Sequence, residues 1–290
     1  MKKLLTICCS IKYDGAIPDR KSAVADDSPM GYKAVRVRLE KQGDASGAWG
    51  QELAIAIANV PTINELAKPP ALSWKPVVGR ADLKALARFV GRYGPLAGLG
   101  WSKPGETVWE DPVRFAGLQF VLRAAWAGDR DAIALIAGEK KDLRLFFNQK
   151  AGSAYKDWCD KDDTGKTARR VLIDDVTGKP YLCIDPATLN ELRIPSNLNR
   201  SIEARVLVKA TSVDIVTNDP WDFARLSFLR DQLLGRTRVC KNPNCPTPYF
   251  VYGRRRQVYC SHDCALATAS RNYRKRVRDL IEREKAKDNW

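Results

Sequence analysis

An α+β class follows from three observations: a mixed body of strands and helices, then a small cysteine-rich module, then a basic helix. The first 235 residues pass between stretches of period-2 and period-3.6 hydrophobicity. Four of the eight cysteines, Cys240, Cys245, Cys260 and Cys264, fall within 25 residues. Positive charge collects around them, because residues 236–290 hold 14 Lys/Arg against 5 Asp/Glu, or +9 of a total of +15. At roughly 150 residues per domain, 290 residues allow about two, and the shift in composition places the boundary between 1–235 and 236–290.

The opening Met1-Lys-Lys-Leu-Leu-Thr-Ile-Cys-Cys-Ser10 has an apolar stretch only from Leu4 to Cys9. That is shorter than the roughly 7–15 residues of a signal peptide's core, so it is read as a first β-strand of a cytoplasmic protein. Val35, Val37 and Leu39 alternate with Arg36, Arg38 and Glu40, the pattern of a half-exposed strand. Leu53, Ile55 and Ile57 alternate with alanines and suit strand or helix. Leu83, Leu86, Ala87 and Val90 predict a helix capped by Asp82 and stopped at Gly94-Pro95. Asp111-Pro112 opens a helix running to about Ala127, and a shorter one covers Asp129 to Ala137 ahead of Gly138. Val171–Ile173 and Tyr181–Ile184 flank a turn and read as a hairpin, and Val206–Val216 offers further strand. Asp219-Pro220 starts a helix whose apolar face is Phe223, Leu226, Leu229, Leu233 and Leu234, ended by Gly235.

Function is most legible after that helix. Cys240-Lys-Asn-Pro-Asn-Cys245 is a tight turn with a thiol at each end, followed by Cys260-Ser-His-Asp-Cys264. Two close pairs suit one tetrahedral Zn²⁺, since each turn delivers two thiolates to one side of the ion. Four protein ligands leave no open position, so the zinc is structural. Tyr249–Tyr252 and Gln257–Tyr259, joined by Gly253-Arg-Arg-Arg256, read as a β-hairpin, and a helix begins after Cys260. Turn, hairpin and ligand-bearing helix is the treble-clef order. His262, the lone histidine, stands between the second pair and could replace one thiolate, cap the helix or face a phosphate. The competing reading is four buried apolar cysteines without metal.

On a helix from Cys264 to about Lys287, Leu266, Tyr273, Val277, Leu280 and Ile281 share one face. Arg271, Arg274, Lys275, Arg278 and Lys285 share the opposite one, and Arg254, Arg255 and Arg256 add three cations at the hairpin tip. Either the helix packs on one face and is solvated on the other, or two basic surfaces grip one polyanion backbone. Tyr249, Tyr252 and Tyr259 serve as hairpin core or as stacking platforms for bases.

The Cys-x4-Cys turn, the aromatic shortly after it, the Tyr-Cys-Ser before the last ligand and the basic helix resemble the CGNR-type zinc fingers. The resemblance covers roughly residues 236–278. The second pair is one residue closer than in that family, and Ala265-Leu-Ala stands where the family has Gly-Asn-Arg. It implies a zinc role for the four cysteines, DNA as the partner in preference to RNA, and transcription regulation of bacterial type.

Other constellations fail. Asp162-Asp-Thr-Gly-Lys-Thr167 lacks the first glycine of a P-loop, since position 160 is Asp. With its single histidine in the cysteine cluster, the chain has none left for Ser-His-Asp or other His-dependent chemistry. Asp174-Asp175 and Cys8-Cys9 are adjacent pairs that a strand sends to opposite faces, and Cys159 and Cys183 read as ordinary thiols. No run approaches the roughly 20 apolar residues of a membrane span, so no membrane partner is expected. The expectation is a zinc-dependent nucleic-acid-binding protein with no enzymatic activity. The alternatives are a protein-interaction adaptor, or a nucleic-acid-processing enzyme of phage-defence or mobile-element type.

Overall fold

The computed structural model describes residues 8–13, 21, 23–27, 33–38, 49–63, 80–93, 95–96, 106–139, 170–173, 180–184, 201–208, 212–217 and 219–288. The Gly-Lys-Thr segment, Cys159 and Asp174-Asp175 lie outside them, and only the backbone of Cys8, Cys9 and Cys183 lies within them. The class is mixed α+β, with a cysteine cluster and a helix at the C-terminal end.

Strands β1 (Cys8–Tyr13), β9 (Arg205–Val208) and β10 (Ser212–Thr217) form one sheet. β1 runs parallel to β10 and β9 antiparallel to it, so the expected strand over Val206–Val216 is two strands with a reversal. A second sheet is antiparallel throughout, with β3 (Lys33–Arg38) between β2 (Val24–Asp27) and β6 (Thr107–Glu110). Arg36 and Arg38 are exposed, as the alternation requires. Short ribbons pair β4 (Thr62–Ile63) with β5 (Arg80–Ala81), and β7 (Arg170–Ile173) with β8 (Pro180–Ile184), the latter being the expected hairpin.

The core is helical. α1 (Trp49–Asn59), α2 (Leu83–Tyr93), α3 (Pro112–Trp126), α4 (Arg130–Ala137) and α5 (Pro220–Leu233) supply one continuous cluster, with Phe89 against Phe115 at 5.1 Å and Trp126 against Phe228 at 5.1 Å between ring centres. The ambiguous Leu53–Ile57 segment is helix α1, because Leu53, Ala54, Ile57 and Ala58 make one buried face. Its last carbonyls are satisfied from α3. Gln119 Nε2 donates to Ile57 O at 2.6 Å and to Val60 O at 2.8 Å, and Arg123 Nε donates to Ala58 O at 2.7 Å. The expected Asp82 cap is present, and aspartates cap two more of these helices. Ala85 N donates to Asp82 Oδ1 at 2.8 Å, Ala132 N to Asp129 Oδ1 at 2.9 Å, and Trp221 N to Asp219 Oδ1 at 2.7 Å.

α5 departs from its expected face. Leu233 and Leu234 are exposed, whereas Trp221, Ala224, Arg225 and Phe228 are buried. Arg225 lies inside because its charge is fully partnered: Nη1 meets Asp222 Oδ1 at 3.0 Å and Nε donates to Ile136 O at 2.7 Å at the end of α4. α5 ends at Gly235, whose φ of +64° lets Arg236 N reach back to Asp231 O at 2.7 Å. That reversal sends the chain into the cysteine module.

Candidate metal centre

The module starts with β11 (Thr237–Val239), which pairs antiparallel with β12 (Tyr249–Val251). The Cys240–Cys245 turn is the loop between them. Cys240 N donates to Pro248 O at 2.7 Å, and Cys245 N to Asn242 O at 3.0 Å. The hairpin therefore differs from the expected one: β12 pairs backwards with β11, not forwards with Gln257–Tyr259. The cause is the cysteine turn, which reverses the chain and brings Val239 opposite Tyr249. Residues 252–259 form turns instead. Gln257 N donates to Arg254 O at 2.8 Å, and Lys241 N to Val258 O at 3.1 Å, which lays this segment beside the first cysteine pair.

The last helix, α6 (His262–Asp288), follows at once. Ser261 caps it, its Oγ accepting from Cys264 N at 3.2 Å. Cys264 thus sits in the first helical turn and Cys260 just ahead of it. All four sulfurs lie within 4.8 Å of one another. Cys245 Sγ is 3.4 Å from Cys260 Sγ, Cys260 Sγ is 3.5 Å from Cys264 Sγ, and Cys264 Sγ is 3.5 Å from Cys245 Sγ. A tetrahedron with 2.3 Å metal–sulfur bonds has edges of about 3.8 Å, whereas a disulfide needs about 2.05 Å. The spacing fits four thiolates around one ion, and none of the four is disulfide-bonded. His262 is exposed at the helix start and is not a member of the cluster.

A side chain unremarked in the sequence organises this centre. Asn242, buried in the cysteine turn, donates from Nδ2 to Cys264 Sγ at 3.4 Å. Its Oδ1 accepts from Asn244 N at 3.2 Å and from Arg271 Nη2 at 3.3 Å. Burial pushes the Cys245 and Cys260 thiols up, whereas the Asn242 amide brings Cys264 down to about 7. Cys264 is therefore the readiest thiolate, and a bound dication supplies the charge that deprotonates the others. The only sequence signal for Asn242 was the Pro/Asn content of the turn.

The centre is tied to the body through β11 and β12. Asn59 Nδ2 donates to Tyr249 O at 2.8 Å, and Tyr249 N donates back to Asn59 Oδ1 at 3.2 Å. Trp126 Nε1 donates to Arg238 O at 3.0 Å. Tyr249 is buried in the main core, with its ring 5.9 Å from that of Trp126, which removes it from the candidate stacking residues. Tyr252 and Tyr259 are half-buried against the cysteines, and Arg238 stands 4.6 Å over the Tyr252 ring.

The basic candidates fall on two elements. Arg254, Arg255 and Arg256 are exposed in the 253–257 turn. On α6, Arg274, Lys275 and Arg278 are exposed, while Arg271 is half-buried by its bond to Asn242. Leu266, Tyr273, Val277, Leu280 and Ile281 are exposed as well, so this helix does not pack its apolar face on the body.

Among the described residues, no second group of three or more His, Cys, Asp or Glu converges as a metal site, and no helix is long and apolar enough to cross a membrane. The buried carboxylates there are engaged by neighbours. Glu110 accepts from Leu96 N, Asp222 pairs with Arg225, and Asp231 lies 3.3 Å from Arg230 and 3.5 Å from Arg236. No protein-family model matches the chain, and neither a curated protein nor a solved structure matches it either.

Proposed function

We propose that the protein binds nucleic acid in a zinc-dependent manner, as a DNA-binding transcription regulator of bacterial type, with one structural Zn²⁺ on Cys240, Cys245, Cys260 and Cys264. The observation that carries this reading is the bridge through Asn242, which links the Cys264 thiolate to the Arg271 guanidinium. It makes the metal centre the part that orients the basic face of α6. From Arg271 the face continues through the exposed Arg274, Lys275 and Arg278. Arg254, Arg255 and Arg256 supply a second cationic surface of the same module. Such groups meet phosphates, which position a protein on a backbone without specifying sequence. The resemblance of the cysteine spacing to CGNR-type fingers supports DNA over RNA. A four-thiolate centre has no position for a reacting water, so the reading is binding without turnover.

The test is binding of the zinc-loaded chain to duplex DNA and to RNA at about 50 mM salt, with Mg²⁺ present to expose cleavage. Salt-sensitive binding without strand scission is the expected result. Metal-dependent cleavage that one carboxylate substitution in residues 1–235 abolishes would replace this reading with an enzyme.

A further inference from the structure

We infer that α6 is a dimerisation element: its exposed apolar stripe pairs with that of a second copy of this chain, the two helices running parallel. The helix has 27 residues and is about 40 Å long. Its first two turns carry its buried residues, Cys264 and Thr268, and the half-buried Arg271 is held by Asn242. Beyond that, 272–285 is exposed except for the half-buried Asp279. A free-standing segment of some 14 residues is marginal as an isolated helix. The helix presents Leu266, Tyr273, Val277, Leu280 and Ile281 to solvent, with exposures of 52%, 68%, 36%, 59% and 50%. A contiguous stripe of this kind, of the order of several hundred Å², marks an interaction site.

The spacing says what covers it. Leu266, Tyr273 and Leu280 recur every seven residues, and Val277 stands four after Tyr273 and three before Leu280. This is the spacing of a short two-stranded coiled-coil seam, with Leu266, Tyr273 and Leu280 at d and Val277 at a, between the polar a residues Ser270 and Glu284. The flanking residues then select the orientation. Arg276 and Arg283 fall at g, and Arg274 and Ile281 at e. In a parallel pair each g faces the partner's next e, so Arg276 meets Ile281 of the partner subunit, and the one like-charge contact, Glu284 at a against its own copy, falls at the C-terminal end of the seam. An antiparallel pair would set g against g and oppose arginines. The stripe is also about 160–200° around the helix from Cys264 and Thr268, so each body hangs on the outside of the pair. Arg271 and Arg278, at b, and Lys275, at f, stay outside the seam, and Arg274 flanks it. The seam is smaller than the roughly 800 Å² per partner of a stable interface, so self-association is weak, with a dissociation constant on the order of 10 µM.

Sedimentation of the full zinc-loaded chain over a concentration series tests this. The expected result is a reversible monomer–dimer equilibrium near that constant. Val277→Glu with Leu280→Glu should leave a monomer, and Val277→Ala with Leu280→Ala, which keeps helix propensity, should weaken pairing at least about tenfold. Mixing wild type with Arg276→Glu/Arg283→Glu chains distinguishes the orientations. No tightening is expected for parallel helices, whereas strong heterodimer formation would mean antiparallel ones. A chain that stays monomeric at about 200 µM, or whose dimer is indifferent to both seam variants, overturns the inference. So does monomer recruitment through this stripe to 3:1 phosphatidylcholine:phosphatidylserine vesicles. The inference is independent of nucleic-acid binding, since a chain that pairs but ignores DNA and RNA keeps this result and loses the other.

Discussion

Replacing Cys245 with Ser removes one of the four sulfurs and should release one half of the module while leaving the other attached to the body. Structural zinc contributes about 10–16 kcal/mol of apparent binding free energy in finger peptides. Only the share below the ceiling of global stability, about 5–15 kcal/mol, is visible in a folded protein. The cysteine turn has no other anchor of that size: its amide bonds, Lys241 N to Val258 O and Cys245 N to Asn242 O, lie within the module. The β11–β12 ribbon is different, because Asn59 makes two hydrogen bonds to Tyr249, Trp126 makes one to Arg238, and the Trp126 and Tyr249 rings pack edge to face. Three hydrogen bonds of about 0.5–1.5 kcal/mol each and an aromatic pair of about 0.5–1.5 kcal/mol sum to about 2–6 kcal/mol. At 1.4 kcal/mol per tenfold, that retains a protection factor of about 30 or more at the Tyr249 amide. The amides of Lys241 and Cys245 should meanwhile exchange at least about 1,000-fold faster than in the zinc-loaded wild type. Hydrogen exchange resolved to these peptides, alongside metal content of one zinc per wild-type chain, is the assay. Equal loss of protection at Tyr249 and Cys245 would refute the clamp through Asn59, and no change at either would refute the metal centre.

Four further outcomes are expected. Asn242→Ala removes the donor that holds Cys264 acidic, so protons compete better for that sulfur; zinc release in an acid titration should move to higher pH, and chelator competition should show about 10–100-fold weaker binding. For the basic face, four phosphate contacts give a log K against log salt slope of about −3.6 on duplex DNA, and Arg274→Ala with Arg278→Ala should reduce its magnitude by about 2. Arg276 and Arg283 lie off this arc, and an equal loss from their replacement would assign binding to net charge and not to this face. Finally, Asp222→Ala removes the carboxylate that pairs with Arg225 in the core, which should cost about 3–5 kcal/mol in a urea titration; a loss below about 1 kcal/mol would mean the pair is not buried in solution.

Caps and turns were legible because they are local. Asp82, Asp129 and Asp219 announce the helices they cap, and Gly138 and Gly235 end theirs with left-handed backbone that side chains avoid. The four cysteines were legible for a similar reason, since two short turns with paired thiols have few uses other than one ion. Where a segment's environment decides its state, the pattern left the choice open or misled. Leu53–Ile57 suits strand or helix, and α3, which covers one of its sides and satisfies its terminal carbonyls, makes it helix. Leu233 and Leu234 look like core but lie outside, because the Arg225–Asp222 pair and Trp221 take the inner face.

The sequence by itself determined the class, the ends of α2, α3, α4 and α5, the clustering of the four cysteines and the two faces of the last helix, all consequences of neighbours within a few residues. Only tertiary structure decided that β12 pairs backwards with β11, that Asn242 joins a sulfur to Arg271, and that Tyr249 belongs to the core of the body. It also decided that the apolar face of α6 stays exposed. Periodicity tells which residues share a face. What meets that face depends on contacts between residues far apart in the chain, as between Asn59 and Tyr249, and no local pattern encodes them.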